Sequence, residues 1–221
     1  MVSERVWGAC YPPSSAEKTF YDLTPPDLVE DRSAVADQSF KQIESARLLV
    51  RRFADSDVEP FLAYRSDPAV QRYQGWGDYT REDARRFVAG LQSQHPDTPA
   101  HGFQFAIELK ETHEMIGDCY LLTLREEPRQ AEIGFTLALG HRGRGYATEA
   151  VLRLLEYAFT TLDKHRVMAV AFCENTRSIA LLERIGMRRE GRFRESAWLE
   201  DRWADECQYA VLRSEWEGAA S

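Results

Sequence analysis

Apolar positions along the chain recur with two periods. Between 147 and 159, Ala147, Ala150, Val151, Leu154, Leu155, Ala158 and Phe159 fall at steps of three and four, one continuous face of a helix. Ala84, Phe87, Val88 and Leu91 repeat that spacing after Thr80 and Asp83, whose separation matches a capping box. A third helix is predicted after Asn175 as N-cap, with Ile179, Leu182 and Ile185 on its apolar face and Gly186 as its stop. DSDVEPFLAYRS at 55–66 opens on Asp55, Ser56 and Asp57, N-cap candidates for a fourth. The remaining apolar runs are β-like: ARLLVRRF at 46–53, FQFAIEL at 103–109, MIGDCYLLTL at 115–124, AEIGFTLAL at 131–139 and RVMAVAFC at 166–173. KETHE between the second and third of these predicts an antiparallel hairpin, and GRFRESAWL with RWADECQYAVL a closing one. The order β-α-α-β-β-β-α-β-α-β-β predicts an α/β (α+β) domain, a mixed sheet with helices on its faces.

Residues 1–44 break this pattern. YPPSS at 11–15 and TPPDLVEDRS at 24–33 are polar and proline-rich. They read as an extension, flexible or draped over the surface, or as an arm that orders in a homodimer, since Trp7, Tyr11, Phe20 and Tyr21 are costly to leave in water. Residues 45–221 are then a single domain, large enough for one sizeable core.

Charge and cysteine usage narrow the class. With 28 Lys and Arg against 36 Asp and Glu the chain carries a net charge of −8, the wrong sign for following a phosphate backbone. No nucleic-acid partner is expected, and a cationic or neutral substrate is favoured. Runs such as LLV at 48–50 are too short for a bilayer, and the N-terminal residues lack the basic-then-apolar order of a signal peptide, so no membrane association is expected. Cys10, Cys119, Cys173 and Cys207 are far apart and form no CxxC pair. Neither a zinc ribbon nor a disulfide framework is expected, and a reducing cytoplasm is the default.

The chemistry is concentrated at 139–150, LGHRGRGYATEA, where a strand passes into the long helix. Glycines at 140, 143 and 145 let consecutive backbone N–H groups converge on one ligand, at the positive end of the helix that follows. His141, Arg142 and Arg144 add charge, so phosphate or pyrophosphate is the expected ligand. A Walker A loop fails, because Tyr146 and Ala147 stand where Lys and Ser/Thr are needed. A GxGxxG fingerprint is also a poor fit: Thr148 occupies the third glycine position, and antiparallel hairpins do not continue as βαβ units.

Arg142-Gly143-Arg144-Gly145-Tyr146-Ala147 resembles the (Gln/Arg)-x-x-Gly-x-(Gly/Ala) signature of the GNAT acetyltransferase superfamily. AEIGFTLAL, GYATEAVLRLLEYAF and HRVMAVAFCENTRSIALLERIGMRREGRFRE are similar to its ribosomal-protein-alanine N-acetyltransferase branch, over about Arg47 to Leu212. The resemblance implies a mostly antiparallel sheet splayed between 131–139 and 166–173, and acetyl-coenzyme A as co-substrate with no metal. It implies that N–H groups at 142–148 (Arg142, Gly143, Arg144, Gly145, Tyr146, Ala147 and Thr148) hold the pyrophosphate. Leu137 and Leu139 would offer strand backbone to the pantetheine arm, Asn175 would bond that arm, and Ser178 would stand near the thioester sulfur. The plain alternative for the last two is helix capping and solvation.

The implied reaction is direct acetyl transfer to a primary amine in a ternary complex. The amine must lose a proton, since a lysine-type group with pKa ~10.4 is mostly charged near neutrality. Glu132 matches the place where several family members keep the base; the plain alternative is a solvated or salt-bridged strand glutamate. Glu195 and Glu200 are weaker candidates, and Ala197 falls near the place of a hairpin glutamate used in the ribosomal-protein branch. No tyrosine occupies the helix after 175, so Ser178 is the candidate acid. Tyr73, Trp76 and Tyr79 roof the acceptor or pack the connector between two helices, while Trp198 and Trp203 line the opposite wall or fill the core. A protein N-terminus, a polyamine or an aminoglycoside are the candidate acceptors. The reading from another class is a non-catalytic acyl-coenzyme A sensor or assembly module.

Overall fold

A computed structural model describes residues 40–74, 76, 79–91, 94–199 and 201–219. The expected extension up to residue 39 lies outside the described residues. In chain order the elements are β1 (Gln42–Glu44), β2 (Leu48–Arg51), α1 (Val58–Arg65), α2 (Pro68–Gln71), α3 (Arg81–Leu91), β3 (Gly102–Leu109), β4 (Met115–Thr123), β5 (Gln130–Leu137), α4 (Tyr146–Thr160), β6 (Arg166–Phe172), α5 (Thr176–Arg184), β7 (Arg188–Leu199), β8 (Arg202–Leu212) and α6 (Arg213–Ala219). The strands form one sheet in the order β1-β2-β3-β4-β5-β6-β8-β7. Every neighbouring pair is antiparallel except β5 and β6.

That parallel pair holds for only three positions, Gln130–Arg166, Ala131–Val167 and Glu132–Met168. Beyond them β5 runs on to Leu137 and β6 to Phe172 without pairing, so the sheet opens into the expected V.

Strand alternation assigns side chains to two faces. Ala131, Ile133, Val167, Ala169, Cys207 and Tyr209 meet Val151, Leu154, Leu155 and Ala158 of α4 in one core. On the other face Phe53, Phe61, Tyr64 and Phe87 form a second core with Ala106 and Met115. There Phe61 stacks on Phe87 at 5.0 Å and Phe53 meets Phe61 edge-on at 5.5 Å. Each buried leucine- or phenylalanine-sized side chain contributes about 1.5–3 kcal/mol, which is why the 3-4 spacing of α3 and α4 is realised as written.

The caps predicted around α3 and α5 form, whereas Asp57, the only one of the three candidates at 55–57 to stand at the N-cap of α1, makes no side-chain cap bond to it and accepts the Ala54 N–H at 2.7 Å. The Thr80 N–H donates to Asp83 Oδ2 at 3.0 Å and the Asp83 N–H to Thr80 Oγ1 at 3.2 Å. Gly186 ends α5 at φ +87°, where a Cβ would be strained.

Three features depart from the sequence reading. Residues 42–44, read as extension, pair with β2, because Phe40 and Ile43 are buried and Phe40 meets Phe103, Phe105 and Tyr157 edge-on. Helix α6 had no periodic signal; its Trp216 lies against Phe159 at 6.0 Å. Cys173 and Cys207 form a disulfide with a Cα separation of 5.3 Å, where the wide spacing of the cysteines suggested no disulfide framework. Cys207 pairs with Ala171 in the β6–β8 ladder, and the Cys173 N–H continues that ladder to the Asp205 carbonyl at 2.9 Å. Among the described residues no helix is long and apolar enough to cross a membrane.

Candidate active site

The open V between β5 and β6 brings the candidate residues together. The Ala138 N–H donates to the Ile116 carbonyl of β4 at 2.9 Å. In an antiparallel ladder alternate residues turn their polar groups to opposite sides, so Leu137 directs its backbone into the gap. Its carbonyl accepts from Arg142 Nε at 3.0 Å.

Beyond Leu137 the chain does not continue as strand. Leu139–His141 forms a single 3-10 turn, with the His141 and Arg142 N–H groups returning to the carbonyls of Ala138 and Leu139 at 3.0 and 3.3 Å. Leu139, expected to offer strand backbone, is instead in this turn with its side chain 48% exposed. The Arg142 N–H, expected to face the ligand, is likewise engaged within the turn. Burial and the nearby Arg177 cation lower the Arg142 pKa from its ordinary value.

Gly143 and Gly145 adopt φ +77° and +82°, and Gly145 is the N-cap of α4 with no side-chain cap. From Gly143 to Thr148 the backbone N–H groups donate to no acceptor among the described residues; the first return bond runs from the Glu149 N–H to the Gly145 carbonyl at 3.0 Å. Consecutive donors thus fan outward at the positive end of a 15-residue helix.

Arg47 fixes the fan. Its Nη1 donates to the Arg144 carbonyl at 3.0 Å, its Nε to Glu149 Oε2 at 2.6 Å, and its guanidinium lies 4.5 Å over the Tyr146 ring. Glu149 Oε1 also accepts from the Arg47 N–H at 2.8 Å and Ser45 Oγ at 2.7 Å. Burial opposes ionisation of Glu149, yet these donors outweigh it and hold its pKa below the ordinary carboxylate range. Its charge is therefore matched by Arg47 and does not cancel the helix end. The Arg144 side chain is exposed, and His141 Nε2 faces Glu114 at 3.3 Å rather than the loop's mouth.

Across the gap, Asn175 Oδ1 accepts the Ser178 N–H at 3.2 Å, so its carbonyl caps α5 and its amide N–H group is what it can offer a ligand. Both residues are half-buried. Glu132 occupies the last paired position before the V opens, opposite Met168, and is 3% exposed. It alternates with Ala131 and Ile133 of the α4 core, which places it on the opposite face, the one shared by Thr136.

The connector after α2 covers that face. Gln74 Nε2 donates to Thr136 Oγ1 at 3.2 Å, and the Tyr73 ring lies 6.4 Å from Phe172 of β6. Of the three aromatics read as a roof, Tyr73 alone is at this wall. Trp76 lies against Arg65, whose guanidinium is 3.6 Å from its ring, and Tyr79 packs edge-on to Phe61 at 5.8 Å, so both serve the second core. Trp198 and Trp203 do not fill a core: they are 51% and 46% exposed and meet edge to face at 5.3 Å. Glu195 is exposed and its N–H donates to Asp205 Oδ1 at 2.8 Å, while Glu200 lies outside the described residues. Sequence reasoning missed Gln74 and Arg47, neither of which carried a motif.

The family model "Acetyltransferase (GNAT) domain" matches residues 47–188. The chain belongs to the GNAT acetyltransferase family. This acetyltransferase is 33% identical over 174 residues to the uncharacterized N-acetyltransferase YnaD of Bacillus subtilis, covering 79% of this chain and 98% of that one. The [Ribosomal protein uS5]-alanine N-acetyltransferase of Escherichia coli is 24% identical over 183 residues, 79% of this chain and 92% of that protein, in keeping with the branch the sequence resembled. The crystal structure of the GNAT-family acetyltransferase from Bacillus anthracis superposes with a TM-score of 0.71 at 33% identity, over 78% of this chain and 99% of that one. The protein is an acyltransferase.

Proposed function

We propose that this enzyme binds acetyl-coenzyme A in the β5–β6 gap and transfers the acetyl group to a primary amine by direct attack in a ternary complex. The observation that carries the reading is the fan of unpaired N–H groups from Gly143 to Thr148 at the uncapped start of α4, beside a strand edge left open by the V. These donors fit a diphosphate: they are consecutive, they lie at a helix N-terminus, and their two positive-φ positions are glycines. The Asn175 amide would bond the pantetheine arm from the opposite strand's side. Acetyl-coenzyme A supplies the acetyl group and a thiol leaving group.

Glu132, at the apex of the gap, takes the proton that the acceptor ammonium loses, directly or through a water, leaving the nitrogen lone pair free to attack the thioester carbonyl carbon. The Leu137 N–H, aimed into the gap, donates to the carbonyl oxygen as negative charge develops on it. As the C–S bond breaks, Ser178 Oγ–H holds the departing thiolate by a hydrogen bond from the first turn of α5, and the second proton shed by the acylated nitrogen ends on the sulfur, giving the free thiol and the amide. Tyr73 and Gln74 close the acceptor side.

A thiol-release assay with acetyl-coenzyme A against a panel of primary amines, including peptide N-termini, linear polyamines and aminoglycosides, tests this reading. Release that depends on the amine, with mass-spectrometric detection of the acetylated amine, is the expected result. Tight coenzyme binding with no amine-dependent release across the panel would overturn direct transfer to an amine.

A further inference from the structure

Glu206 of β8 is opposite Phe172 of β6 and Phe193 of β7. Directly paired residues share a sheet face, so its side chain stands with Phe172 and the Tyr73 connector, away from Cys207 and Tyr209 in the α4 core. This is also the face of Glu132. The residue is only 6% exposed, bordered by Phe172, Ala197 and Ala204 of a small apolar cluster.

Its hydrogen bonding is incomplete. Oε2 accepts from Ser196 Oγ at 2.9 Å, and Oε1 is buried with no partner among the described residues. Ser196 is brought there by the irregularity in the β7–β8 ladder between Phe193 and Ala197. Its hydroxyl has one proton, and the Phe193 carbonyl competes for it at 3.2 Å. A buried carboxylate oxygen without a donor is costly, and among the described residues no cation lies against this one, unlike Asp57, Asp118 and Glu108 on the same sheet and its flanks, which all have an arginine partner. Burial raises the Glu206 pKa, with Ser196 partly offsetting the shift. A positively charged donor from outside the chain would complete the site.

We propose that Glu206 is the specificity-determining residue for the acceptor, holding a second ammonium group of a diamine whose other nitrogen is acetylated at the gap. This rests on the acetyltransferase reading of the β5–β6 gap. Glu206 is separated from that gap by β6 alone, and strands lie ~4.8 Å apart, so the two nitrogens are roughly 5–10 Å apart, the span of a short aliphatic diamine.

The test compares wild type, Glu206→Gln and Glu206→Asp with 1,6-diaminohexane and hexylamine, reading KM for each amine, thermal stabilisation by each amine with coenzyme A bound, and coenzyme A affinity. Glu206→Gln is expected to lose diamine stabilisation and raise the diamine KM at least tenfold. Hexylamine KM and coenzyme A affinity stay unchanged, and Glu206→Asp recovers part of the diamine effect. Equal changes for the two amines, or a wild type that the diamine does not stabilise beyond hexylamine, would overturn the assignment. A wild type that binds no coenzyme A would strike the reading of the gap and this inference with it, whereas loss of the diamine effect alone strikes only Glu206.

Discussion

Replacing Gly145 by alanine separates the two demands made of the phosphate loop. Gly145 sits at φ +82° and ψ 0° as the N-cap of α4. A Cβ there would lie 3.4 Å from Arg47 Nη2, the far end of a flexible side chain, so the collision is mild and the backbone carries most of the cost. A left-handed L residue costs about 1–2 kcal/mol, and the lower entropy of the unfolded chain returns about 0.4–1 kcal/mol. The net loss of roughly 1 kcal/mol lowers Tm by about 2–4 °C for a chain of this size. Binding should suffer more, because relaxing φ turns the N–H groups of Tyr146, Ala147 and Thr148 away from a shared focus. Losing one charge-assisted hydrogen bond, about 1.5–3 kcal/mol, weakens Kd for coenzyme A about 10- to 100-fold. Gly140→Ala is the control: its Cβ meets nothing within 4 Å and its φ is not positive, so both Tm and Kd should hold. Calorimetric titration with coenzyme A and thermal melts of wild type and both variants read the two quantities. A Gly145→Ala protein that melts lower yet binds coenzyme A like wild type would refute the assignment of these N–H groups to the ligand.

The remaining predictions address the base, the disulfide and the buried carboxylate. Glu132→Gln should lower kcat by about 10²–10⁴ with coenzyme A affinity unchanged, and Ser178→Ala should do the same to a smaller extent; full turnover in either variant strikes that residue from the mechanism. The Cys173–Cys207 bond closes a sequence separation of 34 residues, worth about 3–4 kcal/mol by loop entropy, so reduction should lower Tm by roughly 10 °C. Thiol titration of the denatured, unreduced chain should find Cys119 reactive and Cys173 and Cys207 silent, and an unchanged Tm on reduction would refute the stabilising role. The folded Glu206 carboxyl has a pKa above its ordinary 4.5, so the folded state binds that proton more tightly than the unfolded chain. Its favourable contribution is complete below pH 4.5 and is lost as pH rises through the folded pKa. Glu206→Gln keeps the neutral form at every pH, so its Tm should match wild type in acid and exceed it progressively above that range; a constant difference across pH would remove the claim that the carboxylate is strained by burial.

What the sequence could express was local. The helix faces of α3 and α4, the caps at Thr80 and Asn175, and the glycines at 143 and 145 each depend on residues within a turn or two, and the structure realises them at nearly the written positions. Leu139 shows the limit of that reading. Its run AEIGFTLAL alternates like a strand to the end, yet β5 stops at Leu137 because the backbone turns to give the His141 and Arg142 N–H groups their acceptors. The aromatics at 73, 76 and 79 were equally ambiguous. Spacing could not say which of them would meet Arg65 and Phe61 and which would meet Phe172.

The features missed altogether depend on register between distant strands. Cys173 and Cys207 are unrelated by any sequence spacing; they meet because β6 and β8 pair antiparallel with Ala171 opposite Cys207. The same register sets Glu206 against Phe172, and the ladder irregularity on β7 brings Ser196 to it. A one-residue slip of β8 would exchange the two faces, turning the disulfide outward and the carboxylate into the α4 core. The covalent bond and the buried charge are therefore two consequences of one pairing, with the bond on the core face holding the register that keeps Glu206 on the acceptor face. Reduction of the disulfide and diamine selectivity should consequently be linked: if loosening the β6–β8 pairing leaves the diamine preference intact, the carboxylate is held by its apolar neighbours alone and not by the register of the strand.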